Sequence, residues 1–108
     1  MIVVTTEHVS GQQETTSLGL VRGSSIRARH IGKDIMAGFR NIAGGEVHEY
    51  SKLLGESREQ AIDRMIEEAE ALGANAVIGV RFQTSMVMQG AAEMLCYGTA
   101  VKLQATYS

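Results

Sequence analysis

"VHEYSKLLGESREQAIDRMIEEAEALGANAVIGVRF", residues 47–82, contains the change of period that sets the fold. Val47, Tyr50, Leu54, Ala61, Met65, Ala69 and Leu72 recur at helical spacing, with Leu53, Ile62 and Ile66 widening the stripe and glutamates and arginines opposite. This is an amphipathic helix with one face toward a core. Ser57-Arg58-Glu59-Gln60 matches a capping box, which would start a fresh helix after Gly55. The stripe runs through it, however, and one interior glycine costs only about 1 kcal/mol relative to alanine. One long helix is therefore predicted, closed by Gly73 in the C′ position, where positive φ costs glycine little.

After Gly73 the period falls to two. "NAVIGVRFQTSMVM", residues 75–88, reads as a strand carrying Ile78, Val80 and Phe82 on one face. "EMLCYGTAVKLQA", residues 93–105, reads as a second carrying Leu95, Tyr97, Val101 and Leu103, and "QGAA" between them suits a hairpin connection. Upstream, the β-branched "MIVVTT" forms a short strand and "EHVSGQQETT" an exposed connection. "TSLGLVRGSSIRAR" is a further strand, with Leu18 and Leu20 on one face and Gly19, Val21 and Gly23 on the other. Glycine inside a strand marks a bulge, a bend or close backbone approach. Ile31, Ile35, Phe39 and Ile42 form the stripe of a shorter helix stopped by Gly44 and Gly45. The order is strand, strand, two helices, strand, strand: one α+β domain, residues 1–108, with an antiparallel sheet.

A chain of 108 residues buries roughly two thirds of its unfolded surface, enough for a thin core that gains from partners. With 44% hydrophobic and 20% charged residues and a net charge of −2, it reads as ordinary globular protein, and nucleic acid is not an expected partner. Met1 to Val4 is too short for a signal-peptide core, and no segment approaches a membrane span, so a cytoplasmic protein without a membrane partner is expected. A single cysteine, Cys96, excludes an intrachain disulfide and any Cys-x-x-Cys motif, in keeping with a reducing compartment.

"MAGFRNIAGGEVHEYSKLL" (36–54), "LGANAVIGVRF" (72–82) and "CYGTAV" (96–101) together resemble the YbjQ-like family, small bacterial proteins labelled putative heavy-metal-binding, and the likeness extends over nearly the whole chain. The resemblance implies a β-β-α-α-β-β subunit that assembles as a ring-shaped homopentamer with a barrel-like strand arrangement. It implies no activity. Periodicity gives the oligomer separate support: helices cover mainly one sheet face, leaving a face with Val77, Gly79, Arg81, Gln83, Ser85, Cys96, Gly98 and Ala100 for a neighbouring subunit or a lined channel.

Three groups are candidates for ligand chemistry. In Glu46-Val47-His48-Glu49, a helix puts the two glutamates on one side and His48 elsewhere; no His/Glu pair stands at i, i+4, and zinc needs a third protein ligand. Within one chain the stretch therefore reads as an acidic helix start favoured by the dipole and not as a metal site. Met86, Met88, Met94 and Cys96 are donors for copper(I) or another soft metal. The register that buries a consistent apolar face, however, separates the two sulfur pairs. A ring would offer another route, bringing one Cys96 or His48 from each copy together around an axis as metal ligands. Arg27 and Arg29, beside Ser24 and Ser25, form an anion-binding candidate within a basic stretch that otherwise meets an acidic helix or solvent.

Nothing in the sequence matches a nucleophile elbow, a Walker loop or a dinucleotide fingerprint, and Asn75 fits a turn-shaping role. The sequence thus describes a subunit of a homo-oligomer that serves as a binding or scaffold protein, with a metal ion or small anion as ligand. A purely structural module without ligand, and an enzyme with an intersubunit site, are the other classes left open.

Overall fold

The structure is a computed structural model and describes residues 1–28, 48–88 and 91–106. The shorter helix expected over 31–42 and its glycine stop lie outside the described residues. The elements are β1 (Ile2–Val3), β2 (Gln12–Ala28), α1 (His48–Ala71), β3 (Ala76–Met88) and β4 (Ala91–Ala105). The chain is α+β, with one helix among the described residues and a four-stranded sheet in the order β1-β3-β4-β2.

α1 runs unbroken through Gly55, as the continuous stripe predicts. Ser57 is not a cap; it is buried in mid-helix, and the Gln60 side chain accepts a hydrogen bond from Ser25 of β2 instead. The helix ends in a Schellman motif. Gly73 has φ 84°, its N–H donates to the Glu70 carbonyl at 2.9 Å, and the Ala74 N–H donates to the Ala69 carbonyl at 3.0 Å. The ridge facing the sheet is Leu53, Ser57, Ala61, Met65 and Ala69, a strict i, i+4 row, whereas Leu54 and Leu72 of the expected stripe are exposed.

The sheet is mixed rather than antiparallel. β2–β4 and β3–β4 are antiparallel, but β1 runs parallel to β3. The N-terminus docks on the free edge of β3, with the Ile2 N–H donating to the Asn75 carbonyl and the Val4 N–H to the Val77 carbonyl. Val4 and Val9, between β1 and β2, then pack on Ala76, Ile78 and Val101. The sheet is not closed into a barrel. Among the described residues no helix is long and apolar enough to cross a membrane.

The helix covers the face opposite to the one expected. Its ridge packs with Val21, Val77, Val80, Met94, Cys96 and Ala100, the small-residue face, and the face with Ile78, Leu95, Tyr97 and Val101 lies away from it. Steric fit explains the choice. A Cβ on Gly23 would overlap the Ala61 carbonyl oxygen and the Met65 amide nitrogen, both helix backbone, so only a face without bulk there admits α1 so closely.

Bulges complete the correction. Ile78 pairs with Thr99 and Arg81 with Tyr97, so Gly79 and Val80 together oppose Gly98, with Gly79 at φ 61°. Val77 and Val80 thereby share the helix side, where a Cβ on Gly98 would stand 2.8 Å from Val77 Cγ1 and 3.1 Å from Val80 Cγ2. A second shift between Ser17 and Gly19 turns Leu18 toward the core and leaves Leu20 exposed, although strict alternation puts them together. Asn75 shapes its turn as expected: its side chain donates to the Leu103 carbonyl at 2.8 Å and accepts from the Leu103 N–H at 2.7 Å, imitating a strand partner.

Gly23→Ala should lower the unfolding free energy by about 3 kcal/mol, because the clash is with helix backbone. Gly55→Ala should raise it by up to about 1 kcal/mol, since its Cβ meets nothing closer than Arg58 Nη2 at 3.8 Å. Urea unfolding of both variants checks the contrast.

Candidate functional site

β4 puts Cys96 between Gly23 of β2 and Phe82 of β3, directly beneath α1. The absence of a side chain on Gly23 lets the helix descend onto the thiol, which is fully buried, and the Cys96 S–H donates to Met65 Sδ at 3.4 Å. Met94, two residues earlier and also buried, accepts a bond at Sδ from the Thr84 hydroxyl at 3.4 Å. Burial pushes the Cys96 thiol above its ordinary value of 9.0. The group is therefore a protonated, soft donor held against a thioether, and not an activated nucleophile.

A second polar contact lies further along the same interface. Ser25 is fully buried and donates to Gln60 Oε1 at 2.7 Å, with Ser57 buried one turn earlier on the helix. Arg64 Nη1 donates to the Ser24 carbonyl at 2.5 Å. These bonds fix the helix on β2 and satisfy groups that would otherwise be costly to bury.

The structure treats the sequence candidates unequally. The expected register would set Ile78, Val80 and Phe82 beside Leu95, Tyr97, Val101 and Leu103; the observed one pairs Phe82 with Cys96, Thr84 with Met94 and Met86 with Ala92. By this pairing Met86, Met94 and Cys96 leave the sheet on one face, where the expected register separates the two sulfur pairs, and Met86 is 75% exposed whereas Met94 and Cys96 are buried. His48 is the first residue of α1, and Glu46 lies outside the described residues. Arg27 is the penultimate residue of β2, paired with Ala92, and Arg29 lies outside the described residues. The contact the sequence did not yield is Met65 with Cys96: the two are 31 residues apart, and Met65 reads simply as one member of a helical stripe.

Comparison with known proteins gives the class. A family model described as "putative heavy-metal-binding", YbjQ, matches residues 1–104. A UPF0145 protein of Methanosarcina acetivorans is 60% identical over 103 residues, covering 95% of this chain and 97% of its own. Another, of Clostridioides difficile, is 60% identical over 104 residues, covering 96% of this chain and 93% of its own. The chain belongs to this UPF0145, YbjQ-like family, which is uncharacterised and, with Methanosarcina among its members, not confined to bacteria. A crystal structure from Pediococcus pentosaceus, described as a protein with unknown function of the DUF74 family, has TM-score 0.68 and 15% identity, covering 96% of this chain and 98% of that one; the likeness is of fold.

The family description prompts a test of fit. Among the described residues no three His, Cys, Asp or Glu side chains converge, so one chain presents no donor set there of the kind zinc requires. Met65 and Cys96 do bring two sulfurs together, a pair that suits a soft monovalent ion.

Two outcomes follow from the buried thiol. Thiol reagents should modify Cys96 only at the rate of global unfolding, giving one slow reaction that urea accelerates. Because the folded thiol holds its proton where the unfolded one has lost it, its contribution to stability is complete below pH 9.0 and declines as pH rises beyond it. Cys96→Ala should show a shallower alkaline loss of stability than the parent in urea melts between neutral and alkaline pH.

Proposed function

We propose that the chain is a cytoplasmic subunit of a ring-shaped homo-oligomer, a pentamer, that acts as a binding or scaffold protein. The observation that carries this reading is the pair of sheet edges that have no strand partner among the described residues. β2, 17 residues long, lies at one edge of the sheet. Beyond Arg81, β3 makes no backbone bond on its outer side among the described residues. Long bare edges invite pairing, and pairing β2 of one copy with outer β3 of the next would satisfy both and close the strands into a barrel. Exposed Leu20 and Ile26 on the sheet face away from the helix add apolar surface consistent with such an enclosure.

Native mass spectrometry of untagged protein should give about five times the 11.6 kDa chain mass, and hydrogen exchange should find the β2 and outer β3 amides protected. A monomer at micromolar concentration with both edges exchanging rapidly would rule the assembly out.

One contact favours a second reading in which the ligand is a soft metal. Met65 and Cys96 would hold copper(I) through thioether and thiolate, with the thiol proton released on binding. Copper(I) titration against a chelating competitor should then show one equivalent per chain, released protons, and loss of both in Cys96→Ala; no competition by the parent protein would exclude it.

A further inference from the structure

The outer edge of β3 falls into two parts. Along the first, the N-terminal segment is the partner: the Ile2 and Val4 N–H groups donate to the Asn75 and Val77 carbonyls, the Gly79 N–H to the Thr6 carbonyl and the Val80 N–H to the Val4 carbonyl. Arg81 ties down the end of this segment, its Nη1 donating to the Thr5 carbonyl at 2.8 Å. From Phe82 to Met88 that edge has no backbone partner among the described residues.

The same stretch is also bare on one face. Phe82 pairs with Cys96, Thr84 with Met94 and Met86 with Ala92, so Phe82 and Met86 leave the sheet on the face that α1 packs against. Cys96 and Met94 are buried there, yet Phe82 is 44% and Met86 75% exposed. The position of the helix explains the contrast. Gln60 and Arg64 reach Ser25 and Ser24 of β2 while Met65 reaches Cys96 of β4, so α1 lies over those two strands, and its flank with Gln60 and Arg64 faces the outer edge of β2. One edge strand is thus roofed by the helix, and the other carries an apolar strip without a roof.

We infer that outer β3 is the seat of a second copy of this chain: β2 of the neighbour pairs along it in parallel from Phe82 onward, and the neighbour's α1 covers Phe82 and Met86. The bare edge calls for an extended strand, and the strip beside it calls for cover on one face, the face on which β2 carries its helix. β2 and β3 both run antiparallel to β4 and so share a direction, which rotation about a ring axis preserves. The neighbour's Gln60 and Arg64 bring aliphatic stems to lie on the apolar strip. The N-terminal segment acts as a stop. Because it fills the edge as far as Val80, the incoming strand cannot slide toward Ala76, and the register of the joint is pinned.

This inference deepens the proposed function and rests on its reading of the chain as an oligomer. The test is hydrogen peroxide footprinting of the untagged full chain, read residue by residue by tandem mass spectrometry, with native mass measured on the same samples. Within one chain Met86 is more exposed than Met1, at 75% against 47%, whereas Met65 is fully buried. In the assembled protein Met86 should nevertheless oxidise about tenfold or more slowly than Met1, at a rate near that of Met65. Phe82→Glu should reduce the mass to one chain, keep the helical circular dichroism and release Met86 to rapid oxidation. Should that variant fail to fold, the Met86 rate in the parent protein carries the decision. A pentamer in which Met86 oxidises as fast as Met1, or which survives Phe82→Glu, overturns the seat and leaves the ring standing. So does protection of Met86 that persists in a monomeric Phe82→Glu. An assembly of another size with Met86 protected and dissociated by Phe82→Glu supports the seat and overturns the pentamer, and a monomeric parent overturns both.

Discussion

The close approach of α1 to the sheet at Gly23 governs the rest of the structure. Helix backbone at Ala61 and Met65 occupies the space a side chain would need, and the surface beneath must be as small: Gly23, Ser25, Cys96, Gly98 and Ala100. Burial on this interface comes from many short contacts instead of a few large side chains. The same approach buries Ser25 and obliges Gln60 to accept its hydroxyl, and it seals Cys96 against Met65. The chemistry of the one cysteine is thus a by-product of packing: a thiol in this position stays protonated because the helix excludes water from it.

Bulges distribute the remaining side chains. Without the extra residue at Gly79 and Val80, Val77 and Arg81 would share a face, and an arginine would point at the helix. With it, Val80 joins the core and Arg81 turns to the other side, where the Thr5 and Val80 carbonyls hold it. The N-terminal segment is part of the same device, since β1 and the residues after it bond to β3 where the bulge lies. One irregularity therefore links core filling, N-terminal docking and the placement of Arg81.

The candidate sites were legible in proportion to how local their chemistry is. Cys96 is visible as the sole thiol, yet its partner Met65 arrives from the helix and could not be read from either neighbourhood. Arg81 is an ordinary charged strand residue in the sequence; only the bulge beside it and the N-terminal segment give its guanidinium the Thr5 and Val80 carbonyls as partners. Register, which the sequence leaves open, pairs Met94 with Thr84 and Met86 with Ala92, so that Met86, Met94 and Cys96 leave the hairpin on one face, Met86 exposed and the other two buried.

By itself the sequence determined the elements whose signals are short-range: the unbroken helix through Gly55, its stop at Gly73, the paired C-terminal strands and the turn-shaping role of Asn75. Periodicity fixes which residues alternate, and it does so as long as alternation is unbroken. Tertiary structure decided which sheet face the helix covers, where alternation resets, and that β1 runs parallel to β3. The reason is steric and long-range. A hydrophobicity pattern favours the bulkier apolar face for the core, but a helix backbone needs room to approach, and room belongs to the face with glycine at Gly23 and Gly98.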